Sequence, residues 1–159
     1  MACHIHIEGL LTDDDADRVF GLVRDFERYS DHTDAVREIK VTADEAGTVD
    51  SSWAVNFRGG VLYWTERDVV DPVARHITFD QLTGDFARFA GSWDVRQADR
   101  DVVVLFSCEF DLGIPSLEPI INPVAMRALT DSIGLILRGL LGQGIQLTSS
   151  GRDTAAVGA

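Results

Sequence analysis

The chain has 159 residues, 45% hydrophobic and 25% charged, with a formal net charge of −12; this is the composition of one folded domain with a sizeable core, not of a disordered chain. So acidic a balance excludes a nucleic-acid binder and adsorption to anionic lipid, both of which need a basic surface. Two cysteines, Cys3 and Cys108, are too few for a disulfide framework; with no signal-peptide pattern and no charge-free apolar run of 18 residues, the expectation is a cytoplasmic protein that makes no membrane contact.

Residues 3–8 alternate as a strand does, with Cys3, Ile5 and Ile7 on one side and His4, His6 and Glu8 on the other. Thr12 is then placed to cap a helix whose first turn holds Asp13, Asp14 and Asp15, near the positive helix end, and whose apolar face is Val19, Phe20 and Val23. Phe26 and Tyr29 continue into a short helical segment ending near His32.

Six strand-like runs follow, over residues 36–43, 48–56, 61–70, 76–82, 86–97 and 102–111. The links between them are short and rich in turn residues (Asp44 to Gly47, Arg58-Gly-Gly60, Asp71-Pro72, Thr83 to Asp85, Ala98 to Asp101), so the runs pair antiparallel.

Asn122-Pro123 reads as a helix cap followed by proline at the first helical position. Met126, Leu129, Ile133, Ile136, Leu137, Leu140 and Leu141 then recur at helical spacing until Gly142 and Gly144. The order is β-α-α-β6-α. An α+β fold in which a curved antiparallel sheet of about seven strands grips a long C-terminal helix accounts for all the parts, with a cavity between sheet and helix as the default binding site. The domain is expected over residues 1–145, and 146–159, small and polar, as a disordered tail.

Alternation assigns the faces. Trp53 with Val49, Ser51, Val55 and Phe57, then Phe89 and Trp93 with Ala87, Gly91 and Val95, then Phe106 and Cys108 with Val104 and Phe110, are the inward sets. In the run 61–70 the carboxylates Glu66 and Asp68 suit solvent, which points Tyr63, Thr65 and Arg67 into the cavity. An inward Arg67 needs a partner or an anion to bind; the competing reading is a surface ion pair. Trp53, Phe89, Trp93 and Phe106 are ligand-wall candidates, or plain core, and Cys108 reads first as a small core residue. His4 and His6 have zinc-compatible spacing, but no further ligands complete a site, so no metal is expected.

Tyr63-Trp-Thr-Glu-Arg67, the Asp71-Pro72 turn, Gly84-Asp-Phe-Ala-Arg-Phe89, the Trp93 strand and Glu109-Phe-Asp111 together resemble the polyketide cyclase/aromatase branch of the START/Bet v1-like helix-grip superfamily, over about residues 3–141. The resemblance implies a poly-β-ketone, free or tethered to an acyl carrier protein, folded in the cavity for intramolecular aldol condensation and dehydration without a cofactor, by a monomer or homodimer. It puts Arg67 in the place of the family's pocket arginine, Thr65 in that of its strand hydroxyl, and Tyr63 and Phe89 among its pocket side chains. On the long helix, where some members carry a polar working residue, this chain offers Met126 and Thr130. The superfamily also includes carriers of quinones and lipids, so a non-catalytic binding protein is the alternative.

Overall fold

In a computed structural model, which describes residues 2–153, the chain forms one eight-stranded antiparallel sheet bent around a long helix. The elements in chain order are β1 (Cys3–Leu11), α1 (Ala16–Val23), a 3-10 turn (Phe26–Asp31), β2 (Val36–Glu45), β3 (Thr48–Phe57), β4 (Gly60–Asp71), β5 (His76–Gly84), β6 (Arg88–Ala98), β7 (Asp101–Asp111), a second 3-10 turn (Pro115–Leu117), α2 (Glu118–Leu141) and β8 (Gln146–Asp153). The strand order is β2-β3-β4-β5-β6-β7-β1-β8. Six of these strands are joined by hairpins, as the turn residues require, and β1 reaches its place beside β7 by the excursion through α1.

Two ends differ from the sequence reading. The cap of α1 is Asp15, whose carboxylate accepts from the Arg18 backbone N–H, and not Thr12, which still lies outside the helix; Asp14 instead pairs with Arg18 one turn on. Helix α2 begins at Glu118, so Asn122 is buried within the helix and is not its cap. Pro119 occupies the first turn, where a missing N–H costs nothing. Pro123 comes a turn later inside the helix, and the carbonyl it leaves without a helical donor is that of Pro119.

The expected disordered tail is also corrected. Residues 146–153 form β8, paired antiparallel along β1 from Cys3↔Asp153 to Leu10↔Gln146. A polar, glycine-containing strand is hard to read from composition, because what holds it is the ladder to β1 and little side-chain burial. The rest of the expected tail, 154–159, lies outside the described residues.

The core lies between the concave face of the sheet and α2. Cys3, Ile5 and Ile7 of β1 and Val102, Val104, Phe106, Cys108 and Phe110 of β7 are all nearly or fully buried, as alternation requires. Opposite them α2 presents Ala125, Ile133, Ile136, Leu137 and Leu141. By length and composition alone the segment Pro115–Leu141, mean hydropathy 1.3, would suffice to cross a membrane. A core helix meets the same measure, and here its apolar side lies on the sheet.

Two glycines set close approaches. A Cβ on Gly91 would lie 2.2 Å from the Ser107 carbonyl oxygen and 2.5 Å from the Phe79 ring, so the bare backbone of β6 is what lets Phe79 settle onto the sheet. On α2, a Cβ on Gly139 would fall 2.2 Å from His32 Nδ1, which seats the first 3-10 turn directly on the helix.

Candidate functional site

Between the sheet and α2 lies a cavity of about 130 Å³. Its helix side is made by Ala125, Ala128, Leu129, Ser132, Ile133 and Ile136, one stripe at helical spacing in which the small residues leave the room. Its sheet side is a continuous set of rings. Trp53 and Trp64 stack across β3 and β4 with centroids 5.5 Å apart; Phe89 meets Trp64 edge-on at 5.1 Å; Phe86 stacks on Phe89 at 4.8 Å; Trp93 leans on Phe106 at 4.6 Å. Tyr29 closes one end, its hydroxyl donating to the Val23 carbonyl. All three tryptophans of the protein line this space.

One ionisable group interrupts the apolar wall at mid-sheet, the carboxyl of Glu66. Glu66 and Asp68 follow Trp64 along the inner face of β4, and both are buried. A single polar chain ties them together beneath the stacked indoles. Trp53 Nε1 donates to Ser51 Oγ at 2.9 Å, and Ser51 Oγ donates to Asp68 Oδ2 at 2.9 Å. The Asp68 and Glu66 carboxyls hydrogen-bond each other, and Trp64 Nε1 donates to Glu66 Oε1 at 2.8 Å.

Burial pushes the Glu66 carboxyl well above the ordinary carboxylate range, and the hydrogen bond and charge of Asp68 push it the same way. Burial also raises Asp68, against the hydrogen bonds from Glu66 and Ser51 that favour its ionised form. The two carboxyls titrate as a pair that favours keeping a proton, and Glu66 is the more strongly raised of the two. Two buried acceptor atoms have no other donor among the described residues, Asp68 Oδ1 and Gln81 Oε1. They belong to the residue two along from Glu66 and to the residue opposite it on β5. Asp68 Oδ1, with no other donor, favours a proton on the neighbouring Glu66 carboxyl.

The expected catalytic trio is corrected in its placement. Tyr63, Thr65 and Arg67 lie on the outer face of β4, not in the cavity. Tyr63 is 58% exposed. Thr65 shares a 2.9 Å hydrogen bond with the Thr83 hydroxyl. Arg67, its side chain 51% exposed, makes a two-pronged ion pair with Asp50 on β3, Nε to Oδ1 at 2.8 Å and Nη2 to Oδ2 at 3.0 Å. That pairing holds the Asp50 carboxyl below its usual range. The surface ion pair is the reading the structure adopts, and the pocket-arginine role fails with it.

Of the residues expected in the ligand wall, the structure places four in the cavity lining and three outside it. Trp53, Phe89, Trp93 and Phe106 line the cavity. Cys108 does not: it is buried between Gly91 and Ile5 in the sheet register, and burial pushes its thiol up, so it is an inert core group. Met126 reaches over Gly151 of β8, where a Cβ would touch its Cε at 2.5 Å, and so packs away from the cavity. The Thr130 hydroxyl donates to the Met126 carbonyl one turn back. Ser132, further along α2, is the helix hydroxyl that lines the cavity.

Glu66 and Asp68 are the residues that sequence reasoning missed, although a signal for them was present. The turn Arg58-Gly59 sets Phe57 against Gly60, and the register then runs through Trp53↔Trp64 and Ser51↔Glu66 to Val49↔Asp68. Residues directly opposite share a face, so an inward Trp53 carries Trp64, Glu66 and Asp68 inward with it.

Comparison with known proteins gives the same architecture. A Thermus thermophilus protein, TTHA0849, superposes with a TM-score of 0.78 at 22% identity, over 86% of this chain and 93% of that one. The Zhui aromatase/cyclase from Streptomyces sp. R1128 gives 0.68 at 19% identity, over 91% and 99%. A START superfamily protein from Mycobacterium smegmatis gives 0.68 at 15% identity, over 86% and 95%. Likeness at these identities shows a common helix-grip fold. No curated protein matches in sequence. Residues 13–133 match the family described as polyketide cyclase / dehydrase and lipid transport. The matched stretch includes the whole of β2 to β7 and most of α2, and the chain belongs to that family.

Proposed function

We propose that the protein is a cyclase/dehydratase acting on a β-ketone chain held in the aromatic cavity, with Glu66 as the proton donor. The observation that carries this reading is a carboxyl in the wall of a largely apolar chamber, raised by its burial and by the Asp68 carboxyl beside it. Folding a flexible chain so that an enol carbon meets a carbonyl carbon is itself worth roughly 7–11 kcal/mol of barrier. As the new C–C bond forms, the acceptor carbonyl oxygen takes the Glu66 proton and becomes a hydroxyl, while the enol becomes a ketone and its O–H proton passes to the pair, which is protonated again. In the dehydration that follows, the hydroxyl leaves as water with a proton from the pair, and the pair recovers one from the carbon next to it, so that one water is lost overall. A positioned acid of this kind contributes about 10²–10⁴ in rate.

Glu66 touches the ligand space; Asp68 acts through it, holding the carboxyl in place and sharing its proton. Arg67 has no part in this scheme. The rest of the wall is largely apolar, which favours a second reading, a carrier of a hydrophobic metabolite such as a quinone or lipid. One assay separates the two. Wild type and Glu66→Gln are incubated with an enzymatically generated poly-β-ketone chain, and ring-closed, dehydrated products are followed by mass spectrometry. The expectation is acceleration by wild type and a loss of at least about 10² in Glu66→Gln. Recovery of the ligand chemically unchanged from wild type supports the carrier and sinks the cyclase.

A further inference from the structure

We infer that the cavity admits neutral compounds of about one ring that carry a carbonyl or hydroxyl oxygen for Glu66, and turns carboxylates away. This deepens the proposed function by naming the class of ligand, and it rests on the same site.

Three observations carry it. The first is size. A cavity of about 130 Å³ compares with the apolar cavity of about 150 Å³ that admits benzene. A β-ketone chain that closes one six-membered ring fits such a space, and a fused multi-ring skeleton does not. The second is sign. Among the described residues, none that lines the cavity is Lys, Arg or His. Arg67, the cation nearest in sequence to Glu66, is spent on Asp50 at the outer surface. The third is the balance of donors and acceptors. Beside Glu66 stands the Asp68 carboxylate, whose Oδ1 is buried and has no other donor among the described residues. A ligand carboxylate placed there would meet negative charge in a wall of low polarity, where like charges repel strongly. A ketone or phenol oxygen can accept from the O–H groups in the lining, the Glu66 carboxyl and the Ser132 hydroxyl.

The aromatic wall also suits an ammonium ligand, since a cation over ring faces beside a carboxyl pair is attractive. The small, largely apolar chamber decides against it, because an ammonium must shed its water to enter.

The experiment is a titration followed by the indole N–H signals of Trp53, Trp64 and Trp93, all of which border the space. Acetophenone, benzoate, benzylammonium and 2-acetylnaphthalene are the probes. Acetophenone should shift these signals saturably, with benzoate and 2-acetylnaphthalene at least tenfold weaker and benzylammonium weaker than acetophenone. Asp68→Asn removes the Asp68 charge and leaves in place the burial that is the largest cause of the raised Glu66 carboxyl, so the gap between acetophenone and benzoate should shrink to threefold or less. Should that variant fail to fold, Glu66→Gln/Asp68→Asn removes the charge with side chains of the same shape. Equal or tighter binding of benzoate, benzylammonium or 2-acetylnaphthalene overturns the inference, as does no response to acetophenone, or a gap that survives removal of the charge. These outcomes are separate from the turnover assay. A protein that converts a β-ketone but binds benzoate as well as acetophenone refutes the ligand class alone, and one that discriminates among the probes but converts nothing refutes the cyclase alone.

Discussion

The two faces of β4 carry similar residues and treat them in opposite ways. On the outer face Arg67 meets Asp50 in a two-pronged pair that is half in water. On the inner face Glu66 and Asp68 meet each other out of water, and one proton takes the place of the missing cation. Charge on the outer face is cheap to hold and easy to do without, because solvent screens it. Charge on the inner face is reduced to what the surroundings tolerate, and the group that results is an acid in an apolar chamber, a different chemical tool. The same strand makes both because its side chains alternate.

Truncation should show the contrast at its largest. Trp64→Ala, which removes a buried ring stacked between Trp53 and the phenylalanines, is expected to cost about 3–5 kcal/mol in denaturant unfolding. Tyr63→Ala, one residue earlier and facing solvent, should stay within about 0.5 kcal/mol. Equal losses would mean that the two faces are not distinguished as described.

A smaller effect lies in the pH dependence of stability. From the ordinary glutamate value of 4.5 up to its raised value in the fold, Glu66 holds a proton in the native state that the unfolded chain has released. Its contribution to stability is complete below 4.5 and is lost as pH rises through that window, at up to about 1.4 kcal/mol per pH unit for one proton. Glu66→Gln should lack this decline, so that variant and wild type converge, or change order, as pH rises from 4.5 to neutrality. Parallel stability curves for the two proteins would show that Glu66 titrates as an ordinary carboxylate.

The smallest effect is expected at Arg67. Arg67→Ala should leave both turnover of a β-ketone and the denaturation midpoint essentially unchanged, because its partner Asp50 is left at the surface where water takes over. A large loss of turnover with an unchanged midpoint would restore the arginine as a working group and reverse the assignment of the two faces.

These faces also mark what could be read from the sequence. The hairpin punctuation placed six strands to within two residues at nearly every end, and alternation gave the inward rows of β1, β3, β6 and β7, because in each row the apolar residues were large and consistent. In β4 both rows mix apolar and polar groups, and the rule that carboxylates seek water chose the wrong one. That rule holds for ionised carboxylates, and it fails when a pair keeps a proton and Ser51 and Trp64 supply donors. The four aromatic residues of the cavity wall were legible for the same reason as the fold; the register of β3 on β4 offered the inward place of Glu66, but not its chemistry, which arises only when Glu66, Asp68, Ser51 and two tryptophans are brought together across β3 and β4. Strand β8 was illegible on other grounds, being a polar segment that is a strand only because β1 is beside it.

Strand β8 also decides where the sheet stops. With it in place β1 is an interior strand, and the free borders are β8 and β2. One border is short and dominated by small polar side chains, with Thr148, Ser149, Ser150 and Arg152 exposed; the other exposes Arg37, Glu38 and Lys40 and is broken by two register shifts. Neither offers a flat apolar rim onto which a second molecule could add its own strand. A chain that stopped before residue 146 would uncover the hydrogen-bonding edge of β1, and stacking edge to edge into aggregates is the hazard that the last strand removes.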